Sequence, residues 1–212
     1  MATGRFIVLE GIDGAGTTTQ TALLAKRLKS QGVLVRTTRE PSDGPVGVII
    51  RQILEGRIVG AGGLAPGWAT MALLFAGDRM DHVEAQIEPF VRQGGVIISD
   101  RYDASSLAYQ SVSSGKGGAD AVEWIRSLNR YARRPDLTIV LDIAPETAAA
   151  RRLERGEAAQ LYEQNEVQRA LSVFYKDLQR HMPNDRVLVL DGSGTVDAVA
   201  ERVHQAYGSA FG

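Results

Sequence analysis

The sequence contains no cysteine. That absence excludes a disulfide framework and any zinc site built on thiolates. Histidine is scarce: His82, His181 and His204 are scattered without ligand spacing, and each is expected on a helix surface. No uninterrupted apolar stretch approaches the ~18 residues of a membrane span, and Phe6–Leu9 is far too short for a signal-peptide core. Charge of either sign is not in excess. The net value of −1 excludes a global basic field for nucleic acid or an anionic membrane, while leaving room for a locally basic pocket. The expectation is a cytoplasmic protein with no nucleic-acid or membrane partner.

What is present is a β-α alternation. At 212 residues and 44% hydrophobic content the chain can bury one sizeable core, and no linker, repeat or low-complexity tract divides it, so a single domain over 1–212 is expected. Strands are predicted at Arg5–Glu10, Val33–Thr38, Val96–Ser99, Leu137–Asp142 and Val187–Asp191. Each is nearly continuously apolar, as when both faces of a parallel sheet are covered. Helices are predicted from Gly16 to near Gly32, over Pro66–Arg92 with a kink or break at Pro89, and over Ala119–Tyr131, Pro145–Arg155, Gln160–His181 and Val196–Tyr207. The alternation implies an α/β fold, a doubly wound five-stranded parallel sheet with helices on both faces. Glycine-rich stretches at Gly56–Gly67 and Ser111–Gly118 read as mobile loops.

The first strand runs into Gly11-Ile12-Asp13-Gly14-Ala15-Gly16-Thr17-Thr18. This matches the phosphate-loop pattern G-x-x-x-x-G-K-[ST] at every fixed position except the lysine. The glycines let backbone N–H groups close around phosphate oxygens, and the following helix N-terminus adds positive potential. Thr18 is placed to present its hydroxyl to Mg²⁺. Thr17 stands where the lysine belongs. Losing one well-placed donor to a developing charge costs about 10²–10³ in rate. Lys26 cannot substitute, because nine residues of helix carry it about 13 Å further along. Nucleotide binding is therefore expected to be weakened, not abolished.

Further segments follow in order: Thr38-Arg-Glu-Pro41, Leu74-Phe-Ala-Gly-Asp-Arg79, Asp100-Arg-Tyr-Asp-Ala-Ser-Ser-Leu-Ala-Tyr-Gln110 and Arg134-Pro-Asp-Leu-Thr-Ile-Val-Leu-Asp142. With the phosphate loop they resemble the thymidylate kinases, P-loop nucleoside monophosphate kinases, over nearly the whole chain. The Asp100–Gln110 stretch is the most specific of them. The resemblance implies that ATP and dTMP are the substrates and Mg²⁺ the cofactor, and that the protein is a homodimer.

Site roles follow from the same resemblance. Asp100, at the carboxyl edge of a strand, resembles the acid that orients Mg²⁺ or its waters. Arg101 resembles the arginine on the acceptor phosphate, for which a planar fork is suited. Phe75 and Arg79, four apart on one helix face, resemble the pair that stacks on thymine and binds its exocyclic oxygen. Alone, such a pair would read as a core Phe and a surface Arg. Ser106 resembles the residue at the pyrimidine edge, Tyr109 the tyrosine crowding the sugar 2′ position, and Gln110 adds a base or sugar contact. Read alone, Ser106 caps a helix and Tyr109 packs in a core. Arg39, in the turn before Pro41, and Arg51, on the next helix, are acceptor-phosphate candidates. Asp13 resembles an acid near the acceptor sugar and metal. Such a charge beside a phosphate cradle needs a cation or hydroxyl partner.

A lid is implied at about 151–163, carrying Arg151, Arg152 and Arg155. Arg155, with Arg151 or Arg152, is the candidate to supply charge the phosphate loop lacks. Alternatively these arginines are solvated groups favoured by a helix C-terminus. Relatives carry an arginine two residues before the lid glutamate, where this chain has Leu161. Three readings stay open: transfer of the γ-phosphoryl group of ATP to dTMP, a pseudokinase that binds nucleotide without efficient turnover, and a kinase for another pyrimidine monophosphate.

Overall fold

Side chains of the central strands alternate between two apolar layers. In β1 (Arg5–Gly11), Ile7 and Leu9 face one layer while Phe6 and Val8 face the other. The same division places Ile98 of β3 (Val96–Asp100) in the first layer and Ile97 in the second. A strand covered on both sides has no polar face, which is why its sequence reads as an unbroken apolar run. The structure is a computed structural model that describes residues 4–115, 119–154, 162 and 164–212.

With β2 (Val35–Arg39), β4 (Leu137–Asp142) and β5 (Val187–Asp191), these strands form a five-stranded sheet in the order β2-β3-β1-β4-β5, every pairing parallel. β1 is central. Its register sets Leu9 against Asp100 of β3 and Gly11 against Leu141 of β4, so the loops leaving β1 and β3 emerge side by side at the carboxyl edge. That edge is where open α/β sheets bind ligands.

The helices are α1 (Thr17–Ser30), α2 (Pro45–Leu54), α3 (Trp68–His82), α4 (Glu88–Arg92), α5 (Asp103–Ser113), α6 (Ala119–Leu128), α7 (Pro145–Glu154), α8 (Asn165–Lys176), α9 (Leu178–His181) and α10 (Val196–Phe211). Four predicted helices are revised. The run expected over Pro66–Arg92 starts at Trp68 and passes through a π-helical turn at Val83–Ile87 before Pro89. Proline has no N–H to donate to the preceding turn, and a widened turn removes that requirement. The helix expected over Gln160–His181 begins at Asn165 and breaks at Asp177, so that α8 and α9 are separate; positions 160, 161 and 163 lie outside the described residues. α10 runs on past Tyr207, and α6 stops at Leu128, where the buried Asn129 side chain donates to the Ile125 carbonyl at 2.8 Å.

Burial grades the strands energetically. Ile98, in the sheet centre, is fully buried, whereas Val189 of edge strand β5 is 43% exposed. Ile98→Ala is expected to lower unfolding free energy by about 2–5 kcal/mol. Val189→Ala should cost under about 1 kcal/mol. Urea unfolding of both variants checks the gradient.

Candidate active site

The loop after β1 curls over the start of α1. Gly14 and Gly16 have φ of 93° and 95°, a region that side chains rarely adopt. A Cβ on Gly14 would also collide with the Ala148 carbonyl of α7, so this glycine fixes how closely α7 approaches the loop. Gly16 caps α1 in the left-handed conformation and leaves the first N–H groups of that helix unpaired by any side-chain cap. Thr17 is buried, with 6% exposure. The Thr18 hydroxyl donates to Asp100 Oδ2, and Asp100 Oδ1 is buried with no hydrogen-bond partner.

Arg101 follows Asp100 and takes φ of 71°, the only non-glycine residue with positive φ among the described ones. Its guanidinium donates to the Gly11 carbonyl at 2.8 Å, to Asp13 Oδ1 at 2.7 Å and to Ser105 Oγ at 3.1 Å. The guanidinium carbon also lies 5.4 Å from the Tyr109 ring centroid. Asp13 thus has the cation its position demanded. It has an amide as well: Gln168 of α8 accepts from Asp13 N at 3.2 Å and donates to Asp13 Oδ2 at 2.8 Å and to the Tyr162 carbonyl at 2.9 Å.

Beside this group lies a cavity of about 150 Å³. Asp13, Phe75, Arg79, Arg101, Ser106, Tyr109 and Gln110 all stand on its wall, seven positions singled out from sequence. Arg79 is fully buried rather than surface-borne. It donates to Glu40 Oε2 at 2.6 Å, to Asn129 Oδ1 at 2.5 Å and to Ser106 Oγ at 3.1 Å. Four polar atoms of residues on this wall are buried without a partner among the described residues: Arg79 Nε, Tyr102 Oη, Gln110 Oε1 and Tyr109 Oη. Orphaned buried groups of this kind are rare in folded proteins away from ligand sites. Burial pushes the Tyr109 phenol well above its ordinary value, so it stays protonated.

Arg39 and Arg51 do not line this cavity; they line a neighbouring groove with Pro41, Leu54 and Glu55. Arg51 donates to the carbonyls of Pro41 and Ser42 at 2.7 and 2.6 Å, and Arg39 pairs with Asp43 at 2.9 Å on the surface. The Arg39 hydrogen bond holds the Asp43 carboxyl below its usual range. His82 is not on a helix surface. It is buried, with Nε2 at 2.6 Å from Thr38 Oγ1 and Nδ1 at 3.1 Å from Glu40 Oε1. Its partners come from the end of β2 and the turn after it, so helical periodicity carried no sign of them.

The sequence also gave no role to Glu40, Asn129, Tyr162 or Gln168. Tyr162 packs edge-on against Tyr109 with centroids 5.4 Å apart, and its hydroxyl accepts from Gln110 Nε2 at 3.4 Å. On the other side of the phosphate loop, a groove of about 360 Å³ is bordered by Gly14, Ala15, Gly16, Gln20, Arg151 and Thr195, among others. Arg151 reaches the Ala15 carbonyl at 3.5 Å, and the buried Arg152 donates to the Asp13 carbonyl. Arg155 and Leu161 lie outside the described residues.

Two substrate-sized spaces therefore meet across one glycine-rich loop, the smaller walled by signature residues. The profile of the family described as Thymidylate kinase matches residues 9–203. The chain belongs to the thymidylate kinase family. A probable thymidylate kinase of Pyrococcus abyssi is 37% identical over 203 residues, 95% of this chain and 93% of its own length. One from Pyrobaculum aerophilum is 44% identical over 154 residues, 72% of each chain. A thymidylate kinase of Symbiobacterium thermophilum is 39% identical over 205 residues, 94% of this chain and 91% of its own.

In this thymidylate kinase relative the Glu40–Arg79 pair is almost dry, with side-chain exposures of 2% and 1%. Removing one partner of such a pair leaves an uncompensated buried charge. Glu40→Ala is expected to lower unfolding free energy by about 3–5 kcal/mol. Denaturant unfolding at neutral pH checks it.

Proposed function

We propose that this chain transfers the γ-phosphoryl group of ATP to dTMP, giving dTDP and ADP. The observation that carries the reading is the cavity wall, where a buried, unpaired Arg79 donor and an unpaired Gln110 acceptor stand together beside Phe75. A pyrimidine edge offers a carbonyl to the first and an N–H to the second, and its face can stack on the phenylalanine. Ser106 is tied to Arg79 and helps to fix that edge. Tyr109 crowds the sugar, favouring deoxyribose. Arg101 holds the acceptor phosphate, with Asp13 orienting it and reaching the sugar. Arg39 and Arg51 sit near the mouth and contribute positive potential.

The groove on the far side of the phosphate loop takes ATP, its phosphates cradled by the backbone of Gly11–Thr18. The acceptor phosphate is already a nucleophile, so positioning and charge stabilisation carry the rate. Thr18 and Asp100 would hold Mg²⁺: a hydroxyl and an unpaired carboxylate oxygen are the hard donors this ion takes. When bound, the ion neutralises charge on the transferred phosphoryl group. Arg155, with Arg151 and Arg152, supplies donor-side charge in place of the lysine. The protein acts as a cytoplasmic homodimer; among the described residues no helix is long and apolar enough to cross a membrane.

Steady-state formation of ADP and dTDP from ATP, Mg²⁺ and dTMP tests the reading. Wild-type turnover above a no-acceptor control is expected. No dTMP turnover would overturn it. Thr17→Lys should raise kcat, by up to about 10²-fold, since it restores one donor to developing charge. Arg155→Ala should cut turnover at least about tenfold with little change in dTMP affinity, because the interaction is made only in the transition state.

A further inference from the structure

Glu10 is the penultimate residue of β1, next to the first glycine of the phosphate loop, and its side chain is fully buried. A carboxylate there needs donors, and it has four. Tyr102 N donates at 2.9 Å, Ser105 N at 3.1 Å, Ser105 Oγ at 2.6 Å and Tyr175 Oη at 3.0 Å. The first two belong to the N-terminus of α5, which has no side-chain cap of its own. Glu10 therefore caps that helix from across the sheet. The Ser105 hydroxyl, having given its proton to Glu10, turns a lone pair to Arg101 Nη1 at 3.1 Å. Tyr175 lies 3.0 Å from the same hydroxyl.

We propose that Glu10 is a positioning residue for acceptor binding: by fixing Ser105 and the start of α5, it sets where the Arg101 guanidinium meets the acceptor phosphate. The inference rests on the acceptor reading given above for Arg101. Geometry requires the link. Arg101 holds a left-handed backbone, which costs about 1–2 kcal/mol for a residue with a side chain, so neighbouring bonds must over-determine it. One of those bonds comes from a hydroxyl whose orientation Glu10 dictates.

The charged and titratable groups around Glu10 are Arg101 from the loop after β3, Tyr109 from α5, Tyr175 from α8 and, beyond Arg101, Asp13 from the phosphate loop. Val140 of β4 is its register partner. Burial pushes the carboxyl up from 4.5 to about 7, against the pull of Arg101 and the hydrogen bonds of Ser105, Tyr102 and Tyr175. The folded protein thus keeps a proton that the unfolded chain releases at about 4.5, and stability falls as pH rises through that window. Function runs the other way. Ionised Glu10 leaves the Ser105 lone pair to Arg101, and protonated Glu10 competes for it.

The test compares wild type, Glu10→Gln and Ser105→Ala. Glutamine keeps the shape and can accept from α5, but its amide donates where a carboxylate oxygen accepted. Calorimetric Kd for dTMP, steady-state KM for dTMP and ATP, and Tm are measured from pH 6 to pH 8.5. Glu10→Gln is expected to raise Kd and KM for dTMP about tenfold, the worth of a charge-assisted hydrogen bond, with KM for ATP within about twofold. Its Tm at pH 8 should equal or exceed that of wild type. The wild-type loss of dTMP affinity below about pH 7 should be smaller in the variant, the acceptor's own ionisation being common to both. Ser105→Ala should weaken dTMP binding to a similar degree with Glu10 intact. Unchanged dTMP affinity in Glu10→Gln, or equal losses for dTMP and ATP, would overturn the proposal. Should Glu10→Gln not fold, unchanged dTMP affinity in Ser105→Ala overturns it alone. Wild type that neither binds nor phosphorylates dTMP would instead overturn the acceptor reading, and this inference with it.

Discussion

Arg101 is gripped by a carbonyl of the phosphate loop, a carboxylate of the same loop and a hydroxyl of α5, and the rest of the site is arranged around that grip. A guanidinium taken out of water must find acceptors or it destabilises the fold. Burial works against its charge, and the Asp13 carboxylate beside it counters this, so the group stays ionised. The consequence is mutual dependence. The loop after β1 keeps its shape partly because Arg101 occupies its carbonyl, and Arg101 keeps its left-handed backbone partly because the loop receives it. The parallel register that sets Leu9 beside Asp100 makes the meeting possible.

The same physics explains how a phosphate loop without lysine holds together. Lysine would bring a charge to the phosphates at the end of a flexible stem. Thr17 brings none, and its short side chain is packed away. What remains is the backbone cradle, whose N–H groups are unaffected by the side chain at that position. Cations on this side come instead from α7, where Arg151 and Arg152 bond to carbonyls of the loop. Each offsets the negative end of a peptide dipole rather than a carboxylate. A phosphate group approaching the loop would meet guanidinium groups held in place by loop carbonyls.

How much of this was legible in the sequence depended on range. The inner strands β1, β3 and β4 were legible because the sheet is covered on both sides there, which writes an apolar run directly. Phe75 and Arg79 were legible as neighbours because four residues of helix make them so. The motif around Asp100 brings Arg101, Ser106, Tyr109 and Gln110 to one cavity wall. His82 was misread because its burial follows from Thr38 and Glu40, two residues of a different segment. Gln168 was missed for the same reason: it clasps Asp13 from 155 positions away. Arg39 and Arg51 carried the correct charge and the correct neighbourhood, but the Pro41–Asp43 turn engages both. Periodicity reports which face of an element is dry. It does not report which polar group meets another inside.

The two halves of the site differ in how much order the fold supplies beforehand. On the acceptor side, Arg79 is locked by Glu40, Asn129 and Ser106, Glu40 is locked by His82, and Asp78 holds the Ser42 amide and hydroxyl at 2.7 and 2.5 Å. The entropy of fixing these side chains is lost on folding, so a ligand entering the cavity meets donors already in place. The groove proposed for the donor is wider, bordered by glycines and by Arg151, which reaches a loop carbonyl. Order there must be gained when nucleotide binds. On the proposed assignment of the cavity to the acceptor and the groove to the nucleotide, discrimination belongs at the acceptor, where a buried group left unpaired is costly, and variation is tolerated at the donor, where solvent and backbone share the load. The loss of the loop lysine falls on the side that the fold leaves adaptable.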